Sequence, residues 1–404
     1  MNFNGEMEMI RRGAVEIISE KELLEKLNIA SQEKRSLRVK LGLDPSRPDV
    51  HLGHTVVLKK LRCFQDMGHT AVLILGDYTA MIGDPSGRNV MRPALTFEET
   101  RANARTYEEQ AFKILDPQKT EVVWNSNWFS KMTFKEILGL ASKITVARLL
   151  ERDDFAQRYK KGDPLSLHEL LYPLMQAYDS VQVHADLELG GTDQKFNILA
   201  GRGLQKSLGQ IPQVVITFPL LEGTDGTQKM SKSLDNYIAL NDTPEDMYGK
   251  VMSIPDALIC KYFQLLTDEP LDKIDNVRSQ MASGANPMGF KKDLAHKIVT
   301  IYHSAGMASM GQKAFEGTFQ KGFFPEDAPV FSIEAKDLDH DQIGLIQVLY
   351  LTKLADSKSD ARRLLEQGAV SIDGQKAIGS VLTIQTGKIV NIQVGKRRFL
   401  KLSR

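Results

Sequence analysis

Residues 38–75 read RVKLGLDPSRPDVHLGHTVVLKKLRCFQDMGHTAVLIL, and the succession of patterns in them decides the fold. Arg38 to Leu43 is a short strand-like run that breaks at Asp44-Pro45. His51 to Asp66 is amphipathic at helical spacing and opens with a Gly/His segment. Ala71 to Leu75 reads as a buried strand through Val72, Leu73 and Ile74, and Gly76-Asp77 ends it. Strand, loop, helix, strand is the βαβ unit of a parallel, nucleotide-binding sheet.

Working outward, residues 13–30 read as a helix, with Leu23, Leu24 and Leu27 on its apolar side. Residues 93–180 read as a mostly helical insertion between the halves of the sheet, and Val214 to Leu221 as a further central strand. The fold expected is α/β: a Rossmann-like doubly wound parallel sheet with a helical insertion, then an all-helical domain, then a small α/β tail. The boundaries expected are 1–227 for the sheet domain, 228–325 for a Lys-rich loop and helices, 326–343 for an acidic, Pro-containing linker, and 344–404 for the tail. A chain of 404 residues is long enough for two or three such domains.

Composition narrows the class. Hydrophobic content of 42% and charged content of 25% are those of a soluble globular chain. Cys63 and Cys260, the only cysteines, stand far apart, which argues against a disulfide framework or a cysteine zinc site. The first 30 residues mix charges among apolar positions, unlike a signal peptide, and no run approaches a membrane span. A cytoplasmic protein is expected. Residues 344–404 carry 11 Lys and Arg against 4 Asp and Glu, a net +7, which leaves −6 for the rest of a chain whose overall charge is +1. A basic tail on an acidic body points to a polyanionic partner.

Two motifs carry chemistry. In Lys229-Met230-Ser231-Lys232-Ser233, two lysines flank a small hydroxyl residue, behind the loop-like run Gly223-Thr224-Asp225-Gly226-Thr227. Two ammonium groups on such a loop suit neutralisation of a departing polyphosphate. In His51-Leu52-Gly53-His54, two histidines share one face of a helical first turn, where helix N-termini favour anions. A zinc reading of the pair needs further ligands near this spacing, and the sequence offers none.

Both motifs, in this order and about 180 residues apart, resemble those of class I aminoacyl-tRNA synthetases. Three further segments are similar to the bacterial tyrosyl-tRNA synthetase family: Asp84-Pro85-Ser86-Gly87-Arg88, the helical stretch Leu171 to Asp179, and Leu189-Gly190-Gly191-Thr192-Asp193-Gln194. Spacing i, i+4, i+7 puts Tyr172, Gln176 and Asp179 on one helix face. A tyrosine side chain presents a flat apolar body and a hydroxyl, so its pocket needs a buried acceptor, and Asp179 is the natural one.

The resemblance implies ATP-dependent activation of L-tyrosine and its transfer to tRNA(Tyr). It implies that His51 and His54 contact the phosphates, and that Lys229 and Lys232, with Arg88 and Arg92, stabilise the leaving pyrophosphate. Gly53 and Gly191 would admit the adenosine, Asp193 would hold the ribose, and Asp44 would lie beside the adenylate. Tyr172, Gln176 and Asp84 would hold the substrate ammonium, with Gln194 on the tyrosine or adenylate side. Mg²⁺ is expected to arrive with ATP, with no all-protein metal site and no tightly bound cofactor. The family is homodimeric, and Ile137, Leu138, Leu140, Ala141, Val146, Leu149 and Leu150 are candidates for that surface. The tail resembles a small RNA-binding domain named after a small-subunit ribosomal protein, with Lys358, Arg362, Arg363, Lys396, Arg397 and Arg398 toward RNA.

Two positions depart from the best-known bacterial branch. Lys40 stands where that branch has a tyrosine at the phenol end, and Lys195-Phe196 where it has Trp-Gly. Lys40 is expected either to pair with Asp77 or to approach the phenol-side acceptor through water. The rivals are a tryptophanyl-tRNA synthetase, a small-molecule adenylate-forming ligase, and a non-enzymatic RNA-binding descendant. The Tyr-Gln-Asp helix face, the basic tail and the intact lysines and histidines argue against them in turn.

Overall fold

A computed structural model describes the chain except residues 1–2, 46–48, 85–94, 318–323, 325–327, 334–340, 378–380, 385–387, 396–397 and 404. Arg88, Arg92, Lys396 and Arg397 therefore lie outside the described residues. The chain forms two compact units, Met1–Ala308 and Ser309–Arg404.

The described residues of the first unit form six strands: β1 (Glu16–Ile18), β2 (Arg38–Leu43), β3 (Thr70–Leu75), β4 (Thr120–Trp124), β5 (Leu187–Gly191) and β6 (Val214–Phe218). They lie in the order β1-β6-β5-β2-β3-β4. All neighbours are parallel except β1, which runs antiparallel to β6. The parallel strands thus reverse their winding between β2 and β5, the switch point where such sheets open a crevice at their carboxyl ends. Val72, Leu73 and Ile74 of β3 and Val214, Val215 and Ile216 of β6 are at most 1% exposed. Strands covered by helices on both faces read as such apolar runs.

The βαβ unit stands as the pattern predicts, with the first crossover helix at Leu52–Asp66. Two expectations need correction. Residues 13–30 are not one helix: Gly13 takes φ +73°, β1 follows, and a new helix Glu20–Glu33 starts at Ser19, whose hydroxyl accepts from Glu22 N–H. Gly at such an angle ends the local helical path. The region 93–180 is mostly helical but also supplies β4, which continues the sheet beside β3. That strand lies at an edge and is only partly buried, so its apolar signal is weak.

The helix Leu167–Gln182, called the pocket helix below, packs Leu174, Ala177 and Val181 against Leu204 of the helix Lys195–Ser207. Leu140 and Ala141, both partly buried, pack against this cluster, and Leu149 is 5% exposed. Phe134, Ile137, Leu138 and Val146 remain exposed. Residues 244–302 form the helices Pro244–Met252, Ile259–Leu266, Leu271–Ala282 and Pro287–Tyr302, with the core residues Tyr248, Tyr262 and Ile298. No helix among the described residues is long and apolar enough to cross a membrane.

Among its described residues the second unit has seven short strands: β7 (Val330–Ser332), β8 (Gln342–Gly344), β9 (Val370–Ile372), β10 (Gln375–Lys376), β11 (Val381–Thr383), β12 (Val390–Val394) and β13 (Arg398–Ser403). Five form a sheet β10-β9-β12-β13-β7, and β11 pairs with β8. The expected linker 326–343 is therefore partly strand: Val330 pairs with Lys401 in parallel. Its Pro and acidic content hid a three-residue edge strand. The helix Lys358–Glu366 starts as read, with Ser357 Oγ accepting from Asp360 N–H at 3.0 Å. Asp373 and Gly374, at φ +47° and +79°, make the hairpin turn between β9 and β10.

Candidate active site

A cavity of about 490 Å³ opens beyond the carboxyl ends of β2, β3, β5 and β6. It is lined by residues of every motif singled out in the first unit: His51 and His54, Asp84, Tyr172, Gln176 and Asp179, Gly191, Asp193 and Gln194, and Lys229 to Ser233. Residues as far apart in sequence as His51 and Ser233 reach one cavity because each follows, or packs over, the end of a parallel strand.

The histidines sit where the first crossover helix begins. His51 is its N-cap and its N–H donates to His54 Nδ1 at 3.2 Å. An accepting Nδ1 puts the ring proton of neutral His54 on Nε2. The two ring centroids are 3.9 Å apart. A Cβ at Gly53 would lie 3.0 Å from the His51 ring, so the glycine makes room first for the protein's own imidazole. Burial lowers both imidazoles, with the Lys232 charge adding to the effect. His51 lies well below the ordinary range and His54 at about 4. Both are neutral donors or acceptors at physiological pH. Nδ1 of His51 is buried without a partner among the described residues.

This neutrality has a measurable cost. Unfolded His54 takes a proton as pH drops below about 6.5 while the folded group refuses it until about 4, so stability falls across that window. Between pH 7 and pH 4 the parent should lose about 3 kcal/mol more than His54→Gln, read as urea midpoints. Equal losses would mean that His54 is protonated in the fold.

The Lys-rich loop is tied at its base by Asn236. Asn236 Nδ2 donates to Asp225 Oδ2 at 2.8 Å, and its Oδ1 accepts from Ser231 N–H at 2.8 Å. From this anchor the lysines diverge. Lys229 Nζ pairs with Asp193 Oδ2 at 3.0 Å, and Lys232 Nζ lies 5.2 Å from the centre of the Tyr107 ring. Asp193 thus meets a lysine through one oxygen. The other, Oδ1, faces Gly191, where a Cβ would come within 2.7 Å of it.

The pocket helix brings Tyr172, Gln176 and Asp179 to the cavity, as their spacing requires. Tyr172 Oη donates to Asp44 Oδ2 at 2.8 Å, and Thr79 Oγ1 donates to Asp44 Oδ1 at 2.7 Å. Asp84 accepts from Gln194 Nε2 at 2.7 Å and lies 3.8 Å from the Arg152 guanidinium. Gln176 Nε2 donates to Glu188 Oε1 at 3.3 Å, while Gln176 Oε1 is buried without a partner among the described residues. Buried acceptors of this kind suit a cationic ligand group.

Asp179 accepts from Trp128 Nε1 at 3.1 Å and from Asn125 Nδ2 at 3.4 Å. Burial raises its carboxyl to about 8, against the opposing Lys40 charge and these two donors. Asn125, Trp128, Thr79 and Tyr107 escaped the sequence reading. Asn125 and Trp128 follow β4, and recognising that strand would have found them.

Lys40 does neither thing expected of it. Asp77 instead accepts from Ser126 N–H and Oγ and pairs with Arg101 at 3.2 Å. Lys40, wholly buried, donates to Glu188 Oε1 at 2.9 Å, Ser180 Oγ at 2.7 Å and the Gln176 carbonyl at 3.0 Å. Those three bonds use all three ammonium hydrogens, leaving none for a phenol or a bridging water.

This arrangement is that of an adenylate-forming synthetase. Residues 32–320 match the family model for class I tRNA synthetases (W and Y), and the chain belongs to that family. The tyrosine--tRNA ligases of Carboxydothermus hydrogenoformans and Thermotoga maritima are each 51% identical to it over 399 residues, covering 98% of this chain and 97% of theirs. Among solved structures, a truncated mitochondrial tyrosyl-tRNA synthetase of Aspergillus nidulans superposes with a TM-score of 0.64 at 22% identity, over 77% of this chain and 94% of that one. The tyrosyl-tRNA synthetase of Archaeoglobus fulgidus complexed with L-tyrosine superposes with a TM-score of 0.63 at 24% identity, over 76% and 99%. These two share the fold.

Proposed function

We propose that this chain joins L-tyrosine to tRNA(Tyr) in two steps. The tyrosine carboxylate attacks the α-phosphorus of ATP, giving tyrosyl-adenylate and releasing pyrophosphate. The terminal ribose hydroxyl of the tRNA then takes the tyrosyl group and AMP leaves. The observation that carries this reading is one cavity lined by a buried carboxyl, Asp179, by acceptors for an ammonium, Gln176 Oε1 and Asp84, and by phosphate donors, His51, His54, Lys229 and Lys232.

No side chain acts as a nucleophile. The rate comes from orienting the carboxylate and neutralising charge on the departing pyrophosphate. Neutral imidazoles of His51 and His54 donate to phosphate oxygens, and Lys229 and Lys232 follow the leaving group. Asp193 takes the ribose hydroxyls through the oxygen that faces Gly191. Tyr172, held by Asp44, completes the wall around the substrate ammonium with Gln176 and Asp84, and Gln194 fixes Asp84. Arg88 and Arg92 are further cations for the phosphates. Mg²⁺ enters with ATP, since it keeps waters and binds through substrate phosphates.

The enzyme works in the cytoplasm as a homodimer, and the exposed apolar residues Phe134, Ile137, Leu138 and Val146 supply part of the partner surface. The helical region 240–320 serves the anticodon side, and the basic tail, through the exposed Lys358, Arg362 and Arg363, tracks RNA phosphates. Arg398 is engaged with the Leu354 carbonyl and contributes charge from that position.

The test is tyrosine-dependent exchange of labelled pyrophosphate into ATP, without tRNA, with tryptophan and phenylalanine alongside. Exchange with tyrosine alone is the expected result. Folded protein that exchanges with no amino acid would leave RNA binding as the leading function.

A further inference from the structure

We infer that Lys40 and Glu188 form a buried positioning pair for amino-acid selection, holding the Gln176–Asp179 turn of the pocket helix at the sheet's switch point. The inference rests on the tyrosine reading above.

The two residues are direct neighbours in the β2–β5 register, where the winding of the sheet reverses. Lys40 is unexposed and Glu188 is 1% exposed, so each removes the other's unpaired charge from an apolar interior. Their contacts with the pocket helix converge on Gln176 and Ser180. Lys40 reaches the Gln176 carbonyl and Ser180 Oγ. Glu188 Oε2 accepts from Ser180 Oγ at 2.8 Å and also from Gln213 Nε2. Glu188 Oε1 accepts from Gln176 Nε2.

This last bond decides what the pocket presents. With Nε2 held by Glu188, the Gln176 amide can turn only Oε1, an acceptor, toward a ligand. A flipped amide would offer a donor to the substrate ammonium and repel it. Ser180 is the residue after Asp179, so pinning its hydroxyl and the Gln176 carbonyl clamps the turn on both sides of the phenol acceptor. Gly201 lets the supporting helix come close enough: a Cβ there would lie 2.9 Å from Gln213 Nε2 and 3.0 Å from Ser180 Oγ. The Lys40 charge also opposes the rise in the Asp179 pKa, favouring the carboxylate that a phenol donates to. None of these contacts touches the phosphate side of the cavity.

The experiment compares the parent with Lys40→Met and with Lys40→Met/Glu188→Met. The single variant strands a buried carboxylate and is expected to lose stability. The double variant replaces the pair by apolar groups of similar length, an exchange that buried ion pairs often tolerate. Pyrophosphate exchange is then measured with tyrosine and phenylalanine on protein whose melting temperature is at or near the parent's. The expected result for the double variant is a tyrosine KM about 10-fold higher and tyrosine-over-phenylalanine discrimination about 10-fold lower, the loss of one well-placed hydrogen bond. kcat and the KM for ATP should stay within about threefold, because the phosphate ligands are untouched. A folded double variant with the parent's tyrosine KM and discrimination would overturn the inference and make the pair a stability element only. A parent without tyrosine-dependent exchange would overturn the reading of the site along with it. If the double variant also fails to fold, tyrosine KM and discrimination are read on Gln213→Leu, which removes one support of Glu188 and keeps the charges. Unchanged values there would overturn the inference as well.

Discussion

Lys229→Ala and Lys232→Ala should each lower kcat for tyrosyl-adenylate formation by about 10²- to 10³-fold, the loss of one preorganised charge contact at the leaving group. Tyrosine KM should change by less than about threefold, because neither lysine contacts the amino-acid end and uniform binding is left intact. Such a loss corresponds to roughly 3–4 kcal/mol of transition-state stabilisation. The contacts of the loop explain why the effect falls on the transition state. Lys229 is held by Asp193 at 3.0 Å, and Lys232 lies over the Tyr107 ring with its Nζ 5.2 Å from the ring centre. The Lys229–Asp193 pair is partly exposed, at 37% and 22%, and an exposed pair is worth about 0–1 kcal/mol. Exchanging it for contacts with a departing pyrophosphate is therefore cheap, and removing Lys229 should leave the melting temperature nearly unchanged. The anchor predicts a control: Asn236 holds the loop base through Asp225 and Ser231, so Asn236→Ala should reduce the rate by a smaller factor without removing charge. Single-turnover adenylate formation checks all three. A lysine variant with raised KM and normal kcat would mean that the lysine serves ground-state binding.

Asp179→Asn should reduce kcat/KM for tyrosine by about 10²- to 10³-fold, as expected when a buried, charge-capable acceptor is lost and its neighbours are left mispaired. The aspartate accepts from both Trp128 Nε1 and Asn125 Nδ2. An asparagine there must turn its own NH₂ toward one of those donors, so its remaining oxygen cannot serve both. Phenylalanine should suffer much less, and discrimination between the two should collapse. The pH dependence is a second signature. Burial holds the carboxyl protonated up to about pH 8, opposed by Lys40 and reinforced by Asp44. Only the carboxylate is a pure acceptor for the phenol, so parent kcat/KM for tyrosine should rise from pH 6.5 to pH 8.5, while Asp179→Asn should be flat over that range. Competition against phenylalanine at each pH removes contributions common to both substrates. A parent profile identical to the variant's would mean that ionisation of Asp179 plays no part in selection.

Much of this site can be read without coordinates, for reasons tied to particular residues. The Tyr172, Gln176 and Asp179 face follows from helical spacing, and the two phosphate motifs lie at strand ends because parallel sheets place loops there. What escapes is what depends on weak or distant signals. β4 is a partly buried edge strand with little alternation, and missing it hid Asn125 and Trp128, the two donors to Asp179. The linker expected at 326–343 concealed β7, whose three residues gain their strand identity only by pairing with β13.

Lys40 shows where the division falls. A lysine inside the apolar run Arg38 to Leu43 already demands a buried acidic partner, since burying an unpaired ammonium is prohibitive. Local pattern was enough to specify the βαβ unit, the helix face and the phosphate loops, because periodicity and loop chemistry act over a few residues. It could not select Glu188, 148 positions away, over Asp77. That choice was made by the β2–β5 register, which sets opposite each other two side chains that no short-range preference connects, and by the packing of the pocket helix over both.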